Sequence, residues 1–218
     1  MPTVDASPVP FNFALDRTAL LVIDMQRDFL LPGGFGESLG NDVAQLRRTI
    51  GPLTSLMAAW RAAGLPIIHT REGHEPDLSD CPPAKLARGP MIGKPGRFGR
   101  ILVRGEYGHD IIDELQPIDG EPVVDKPGKG AFYATELPEL LDKDGIESLV
   151  VTGVTTEVCV HTTVREANDR GYECLVLADC VGSYFPEFQR VGLQMIAAQG
   201  GIFGWVAESP ALIKEIAR

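Results

Sequence analysis

The stretch that decides the fold is Ser148-Leu-Val-Val-Thr-Gly153-Val-Thr-Thr-Glu-Val-Cys159-Val-His-Thr-Thr-Val-Arg-Glu-Ala-Asn168. Its first residues are apolar and β-branched and lead into Gly153, a pattern typical of a buried parallel strand. After Cys159, apolar residues recur at helical spacing: Val160, Val164 and Ala167. The stretch therefore predicts a strand that is followed directly by a helix, with Cys159 near the helix N-terminus.

This position gives Cys159 two properties of a reactive residue. In open α/β sheets, ligands bind at the carboxyl ends of the strands. The unpaired amide groups and the dipole of a helix N-terminus favour a thiolate over a thiol. The position thus indicates a nucleophile. The alternative is a small buried hydrophobic side chain, the usual role of a single cysteine.

Strand-like and helical patterns alternate along the rest of the chain. Predicted strands cover 19–23, 66–69, 122–125, 149–152, 174–178 and 202–205. Predicted helices cover 43–63, 136–142, the segment after Cys159, 186–199 and the residues from Ser209 onward. This alternation predicts a three-layer α/β/α fold, Rossmann-like, with a central and mostly parallel β-sheet.

We expect one domain over residues 1–218. The Pro-rich segment 1–14 has the composition of an N-terminal arm rather than of a signal peptide. Residues 71–107 form an irregular insertion that is rich in Gly, Pro and basic residues. Long insertions of this kind usually have a function or are disordered, so the segment is expected to be a lid, a subunit contact or a solvated excursion.

Composition excludes several classes of protein. A net charge of -10 without a basic face argues against a nucleic-acid partner. No window approaches the roughly 18 apolar residues of a membrane span. The cysteines lack zinc-site spacing and are few for a disulfide scaffold: Cys81, Cys159, Cys174 and Cys180. These features predict a reduced cytoplasmic enzyme.

Two further strand ends carry reactive side chains. Asp24 directly follows the apolar run 20–23, and Lys126 directly follows the strand predicted at 122–125. Taken singly, Asp24 is also compatible with a turn carboxylate and Lys126 with a surface lysine. Together with Cys159 they place a carboxylate, an ammonium group and a thiol at the ends of three parallel strands, which predicts nucleophilic catalysis.

A histidine-based mechanism and a dinucleotide-binding site are competing interpretations. His161 lies two residues after Cys159 and would point about 200° away on a helix, so it is poorly placed to serve the thiol. His69 and His74 lie near a strand end and would reach the thiol only if the fold brings them there. No G-x-G-x-x-G or G-x-x-x-x-G-K-[ST] motif supports a nucleotide site.

Three ordered motifs resemble the isochorismatase-like cysteine hydrolases, the superfamily that includes nicotinamidases, N-carbamoylsarcosine amidohydrolase and ureide amidohydrolases. The motifs are Leu21-Val-Ile-Asp24-Met-Gln-Arg-Asp-Phe29, Lys126 six residues before Phe132, and Gly153-Val-Thr-Thr-Glu-Val-Cys159. The resemblance implies a catalytic triad of Asp24, Lys126 and Cys159 and no cofactor. It also implies a cis peptide bond at Val154–Thr155 and an oxyanion hole built from the backbone N–H groups of Thr155 and Cys159.

Within the superfamily, longer stretches resemble biuret hydrolase and triuret hydrolase. They are His69-Thr-Arg-Glu-Gly-His74, Asp125-Lys-Pro-Gly-Lys-Gly130, Arg165 to Cys174, and Gln199-Gly-Gly-x-Phe-Gly204. This likeness implies that Gln199 grips the substrate amide. Phe29, Phe35 and Phe132 are candidates for the pocket wall, and Arg71, Glu72 and Arg104 are further polar candidates.

Two departures from the superfamily pattern limit what is carried over. Arg71-Glu-Gly-His74 offers at most one ligand pair where nicotinamidases have a metal site, so we predict no metal. Lys129-Gly130 stands where typical members have Tyr-Ser or a similar pair. A second lysine near Lys126 is expected to lower the pKa of either by like-charge repulsion, and it makes Lys129 an alternative catalytic lysine.

The hypothesis from sequence is hydrolysis of a C–N bond in biuret or triuret, with release of ammonia through a covalent Cys159 intermediate. The alternative substrates are ureidoacrylate, an N-carbamoyl amino acid or nicotinamide. A catalytically idle binding protein on the same fold is the alternative from another class. The resemblance further implies a homodimer or homotetramer, with the N-terminal arm and the 71–107 insertion as contact elements.

Overall fold

A six-stranded parallel sheet forms the centre of the molecule, and the computed structural model describes residues 1–217. From edge to edge its strands are β10 (Trp205–Ala207), β9 (Glu173–Gly182), β8 (Ser148–Val154), β3 (Thr18–Ile23), β4 (Ile67–Glu72) and β7 (Val123–Lys126). Two short antiparallel pairs lie outside it: β1 (Thr3–Val4) with β2 (Phe11–Asn12), and β5 (Pro95–Gly96) with β6 (Gly99–Arg100). The predicted central parallel sheet is confirmed.

Nine α-helices connect and cover the strands within the described residues. They are α1 (Arg27–Leu30), α2 (Phe35–Ser38), α3 (Ala44–Arg47), α4 (Ile50–Ala62), α5 (Pro83–Arg88), α6 (Leu137–Lys143), α7 (His161–Asp169), α8 (Pro186–Gly201) and α9 (Ser209–Ile216). A π-helical turn, Thr156–Val160, precedes α7. Short 3-10 turns occur at Leu15–Arg17, Tyr107–His109 and Asp113–Leu115.

Alternate residues of the central strands feed two separate cores. On one face, Leu20 and Val22 of β3 belong to a cluster that includes Trp60 of α4 and Leu212 of α9. On the other face, residues of β3, α6, α7 and α8 form a second cluster: Leu21, Ile23, Leu141, Val164 and Ile196. Every residue of β3 is buried, as expected for a parallel strand covered on both sides. The three-layer prediction is confirmed.

Several predicted boundaries are wrong, and local chemistry explains two of them. The helix predicted over 43–63 is broken into α3 and α4, where Thr49 donates its hydroxyl back to the Leu46 carbonyl. Pro52 follows in the first turn of α4, where its missing N–H is tolerated. The strand predicted at 202–205 begins only at Trp205, since Ile202 and Gly204 are still bonded in turns to residues 198 and 201.

The segment predicted as an irregular insertion has more structure than its sequence indicates. The strand predicted to end at His69 runs to Glu72, so β4 takes up the first two residues of the insertion. The remainder contains α5, the β5–β6 pair and a small apolar cluster: Cys81, Ile92, Ile101 and Leu102. The Leu102 N–H donates to Asp28 at 3.1 Å and fixes the segment to the main body.

No helix within residues 1–217 has the length and apolar character needed to cross a membrane.

Replacement of Gly153 by Ala tests how the sheet positions the end of β8. Gly153 has φ 103°, and a Cβ there would collide with the backbone carbonyl of Ile23 on β3. We expect Gly153→Ala to lower the free energy of unfolding in urea by about 2–4 kcal/mol.

Gly145→Ala is the matched control. Gly145 also has positive φ (62°), but its Cβ would meet no atom within 4 Å. Only the backbone cost of about 1 kcal/mol should appear there. Equal losses in the two variants would show that close strand approach at Gly153 does not matter.

Candidate active site

The carboxyl ends of three strands bring a carboxylate, an ammonium group and a thiol together. Asp24 follows β3, Lys126 ends β7 and Cys159 lies in the π-helical turn after β8. Lys126 Nζ is 2.7 Å from Asp24 Oδ2, and both side chains are 0% exposed. One carboxylate oxygen of Asp24 lies within 4.8 Å of the Cys159 thiol. The structure therefore gathers all three residues of the triad that the resemblance implied.

Sheet order explains how Lys126 reaches Asp24. Strand β4 lies between β7 and β3, so the long lysine side chain must cross one strand. Asp24 itself has φ 51°, a left-handed conformation that aspartate tolerates better than most residues. Its Oδ1 accepts a hydrogen bond from Thr70 Oγ1 at 2.7 Å. These contacts fix the carboxylate where the strand ends.

Glu72 is a fourth buried member of the cluster. Its side chain is 1% exposed, and its Oε2 accepts a hydrogen bond from Cys159 Sγ at 3.6 Å. Its Oε1 lies 2.7 Å from Lys129 Nζ and 3.0 Å from Lys85 Nζ. Burial alone would raise the pKa of the Glu72 carboxyl, but Lys126, Lys129 and Lys85 lower it to about 2. Glu72 is therefore ionised.

From sequence, Glu72 is one of three further polar candidates, in an insertion predicted to begin at Arg71 after a strand that ends at His69. In the structure Glu72 is the last residue of β4 and pairs in register with Lys126. Thr70 and Glu72 are buried although both are polar, and the sequence pattern carries no signal for that.

Gln26, in the same motif as Asp24, clamps the backbone of Glu72. Gln26 Oε1 accepts from the Glu72 N–H at 2.7 Å, and Gln26 Nε2 donates to the Glu72 carbonyl at 2.9 Å. The same Nε2 donates to the His109 carbonyl at 2.8 Å. A side-chain amide that pairs with a strand backbone in this way fixes the direction of Glu72.

The thiol of Cys159 is protonated in the resting site. Burial raises the pKa of Cys159 well above its usual value, and Asp24 and Glu72 raise it further, while Lys126 and Lys129 lower it only in part. Burial and the two carboxylates therefore oppose the preference for a thiolate that a helix N-terminus gives. Cys159 is 4% exposed, and its thiol donates to the Glu72 carboxylate. Chemistry at this thiol needs a proton acceptor.

Both lysines are charged, in contrast to the expected lowering of pKa by mutual repulsion. Burial lowers the pKa of Lys126, but Asp24, Cys159 and Glu72 outweigh it, so the net shift is upward. The pKa of Lys129 is raised as well, because Glu72 outweighs burial and the charge of Lys126. Lys126 contacts Asp24, whereas Lys129 contacts Glu72. The lysine paired with the triad carboxylate is therefore Lys126, the one that the sequence spacing favoured.

The cluster does not fit a metal ion. Asp24, Glu72 and Cys159 offer one ligand atom each within 4.8 Å of one another. Lys126 and Lys129 lie 2.7 Å from the two carboxylates and supply the positive charge that a cation would bring. A divalent cation among these ammonium groups would be repelled.

A cavity of about 210 Å³ opens onto Cys159. Phe29 and Phe35 line it, as expected for pocket-wall residues, whereas Phe132 packs in the core beside Tyr172. The complete lining is Phe29, Phe35, Gly36, Leu39, Asn41, Glu72, Lys129, Val154, Thr155, Glu157, Val158, Cys159, Tyr184 and Phe185. The Val154–Thr155 peptide bond in this wall is cis, as the resemblance implied.

Gln199 and the remaining polar candidates lie elsewhere. Gln199 is exposed at a kink of α8, with φ 53°, and is not among the residues that line the cavity. The expectation that it grips the substrate is not supported within this chain, because the kink turns the end of α8 to the surface. Arg71 is paired with Asp125, and Arg104 contacts Glu75.

None of the four histidines lines this cavity among the described residues. His161 Nε2 is 2.9 Å from the Gly192 carbonyl on the far side of the helix, as its spacing from Cys159 predicted. His69 is bonded to Glu121, and His74 is bonded to Asp80. A histidine-based mechanism has no residue in place to perform it.

Comparison with known families agrees with this geometry. A family model described as Isochorismatase domain matches residues 18–209. The chain belongs to the isochorismatase family. The match spans all six strands of the central sheet and the three triad residues.

Named relatives and a solved structure of this family match nearly the whole length of the chain. Ureidoacrylate amidohydrolase RutB of Serratia proteamaculans is 33% identical over 223 residues, covering 99% of this chain and 89% of that protein. The RutB of Pantoea ananatis is 34% identical over 212 residues, covering 93% and 83%. A cysteine hydrolase structure from Pseudomonas syringae pv. phaseolicola has a TM-score of 0.84 at 27% identity, covering 100% and 98%. These two relatives are named for ureidoacrylate and not for biuret.

Replacement of Glu72 tests its place in the charge cluster. The folded-state pKa of about 2 lies below the ordinary value of 4.5, so the ionised Glu72 stabilises the fold above pH 4.5. That stabilisation is lost as the pH falls from 4.5 toward 2. Between about pH 5 and about pH 3 the wild type should lose more free energy of unfolding in urea than Glu72→Gln. Parallel losses would show that the three lysines do not hold Glu72 ionised.

Proposed function

We propose that this chain is an amidohydrolase that cleaves a C–N bond of a small ureide through a covalent intermediate on Cys159. The observation that carries the proposal is a buried thiol beside a small cavity, which donates to Glu72 and lies within 4.8 Å of Asp24, with a lysine paired to each carboxylate. The names of the RutB relatives support the reaction class. A catalytically idle protein would have no need of an ion pair buried to 0% exposure beside a thiol.

In the first half-reaction, the Cys159 thiol gives its proton to Asp24 as its sulfur attacks the ureido carbonyl. The carbonyl oxygen becomes an oxyanion, which the N–H groups of Thr155 and Cys159 stabilise in this proposal. The charge of Lys126, which lowers the pKa of Cys159, offsets the negative charge that develops on the sulfur. The C–N bond then breaks, and Asp24 returns the proton to the departing amine.

In the second half-reaction, a water molecule approaches the carbonyl carbon of the acyl group on Cys159. Asp24 takes a proton from the water, the hydroxide adds to the carbonyl, and the S–C bond breaks. The Cys159 thiolate that leaves takes this proton from Asp24. Glu72 has a pKa of about 2 and is a weak base, so its role is to hold the thiol through the S–H hydrogen bond.

Biuret, triuret, ureidoacrylate and N-carbamoyl amino acids share a terminal carbamoyl group, which is a carbonyl between a primary amide nitrogen and a secondary one. Ureidoacrylate is supported by the names of relatives that cover most of this chain. Biuret or triuret is supported by the local stretches that resemble their hydrolases, including Lys129-Gly130 after the catalytic lysine. The comparisons favour ureidoacrylate over biuret. Attack on the shared carbamoyl group is the same in both cases.

The homodimer or homotetramer remains a prediction, and so does the cytoplasmic location. Sedimentation velocity of the purified chain tests the assembly directly. A single monomeric species would contradict it.

Triad variants test the reaction. Cys159→Ser, Asp24→Asn and Lys126→Met should each lower ammonia release from biuret, triuret and ureidoacrylate by at least about 1,000-fold, because members of a catalytic unit fail together. Cys174→Ser is the control, since Cys174 is buried in the core and does not line the cavity. Turnover that survives in Cys159→Ser would refute the covalent mechanism.

A further inference from the structure

Glu157 is the ionisable residue of the cavity that the triad chemistry does not use. It lies two residues before Cys159 in the π-helical turn and lines the cavity. Its Oε2 is buried and has no hydrogen-bond partner within residues 1–217. A buried carboxylate oxygen without a donor is costly, so a donor from a bound ligand would satisfy it.

The other charges of the cavity wall are already paired. The acidic and basic side chains of the wall besides Cys159 and Tyr184 are Glu72, Lys129 and Glu157, and no arginine lines it among the described residues. Lys129 Nζ lies 2.7 Å from Glu72 Oε1, so the charge of Lys129 is already paired. The hydroxyl of Tyr184 donates to the Phe29 carbonyl at 2.8 Å rather than to Glu157. Glu157 is therefore the uncompensated charge of the wall.

Arg165 does not neutralise Glu157. Both residues line a neighbouring groove between α7 and α8. The Arg165 Nε donates to His161 Nδ1 at 3.1 Å, and its guanidinium lies 4.2 Å from the centre of the Phe203 ring. No ion pair joins Arg165 to Glu157 in the part of the chain that the structure describes.

We propose that Glu157 determines which class of substrate the cavity binds, because it contacts the part of the substrate that lies beyond the attacked carbamoyl group. Glu157 accepts hydrogen bonds from a primary amide nitrogen there and repels a carboxylate. The favoured substrates are neutral ureides with a carboxamide or carbamoyl end, over ureido acids. This inference rests on the proposed function, since it takes Cys159 as the residue that attacks the ureide.

Two physical effects act in the same direction. A carboxylate end would bring a second negative charge into a partly dehydrated cavity beside Glu157, where charge repulsion is stronger than in water. It would also leave Glu157 Oε2 without a donor, and sites built around a buried polar group reject analogues that lack its partner. The RutB relatives are named for a substrate with a carboxylate, so Glu157 would separate this chain from their specificity.

The first experiment compares kcat/KM for biuret and for ureidoacrylate. The wild type should favour biuret by about tenfold or more, and Glu157→Gln should lower the biuret-to-ureidoacrylate ratio by about tenfold, the effect of one partly screened charge. Glu187→Gln is the matched control, because Glu187 is exposed and paired with Arg190 on α8. A wild-type preference for ureidoacrylate, or a ratio that Glu157→Gln leaves unchanged, would overturn the proposal.

The second experiment does not depend on turnover. Iodoacetamide and iodoacetate alkylate Cys159: the thiol proton passes to Asp24 and on to solvent, the S–C bond forms and iodide leaves. The two reagents differ only in a carboxamide against a carboxylate. Relative to free cysteine, the wild type should favour iodoacetamide, and Glu157→Gln should bring the ratio about tenfold closer to that of free cysteine. Labelling of Cys159→Ser gives the background from other cysteines.

The two experiments separate failure of this inference from failure of the proposed function. An alkylation ratio that responds to Glu157→Gln, in a protein that hydrolyses no ureide, would refute the proposed function and uphold the charge selection. Ureide hydrolysis that depends on Cys159, with both ratios insensitive to Glu157→Gln, would support the proposed function and refute the charge selection by Glu157.

Discussion

The ion pair between Lys126 and Asp24 is the interaction on which the site depends. Both side chains are 0% exposed and their charged atoms are 2.7 Å apart. Removing two charges from water costs several kcal/mol per ion, and an ion pair alone rarely offsets that cost. Here each group also has a further hydrogen-bond partner, the Thr70 hydroxyl for Asp24 and the Gly128 carbonyl for Lys126. Strand β4 lies between β7 and β3, and the long side chain of Lys126 spans it to reach Asp24.

In the proposed mechanism, this pair allows a protonated thiol to become a nucleophile. When Cys159 passes its proton to Asp24, the Lys126–Asp24 pair is replaced by a pair of Lys126 and the thiolate. The number of buried charges does not change, so no new ion has to be desolvated. Burial raises the pKa of Cys159, which keeps the thiol unreactive toward solvent. Proton transfer within the cluster then generates the nucleophile only where Lys126 can stabilise it.

The sequence predicted the fold and the triad because both depend on local patterns. Apolar runs such as 20–23 and the period change at Cys159 are readable without long-range contacts. The position of Glu72 depends on how far β4 pairs with β7, which polar residues do not reveal. The pKa of Cys159 depends on burial and on carboxylates from two other strands. Gln199 lies at a kink in α8 that local patterns do not predict, so its place outside the cavity lining could not be read from the sequence.

The most direct test of the account is the mass of the Cys159 peptide after rapid quenching of the enzyme during turnover of a ureide. The account predicts that an acyl group from the substrate is attached to Cys159, and that Asp24→Asn forms it far more slowly. Turnover at full rate with an unmodified Cys159 would contradict the covalent mechanism and, with it, the role given to the buried ion pair.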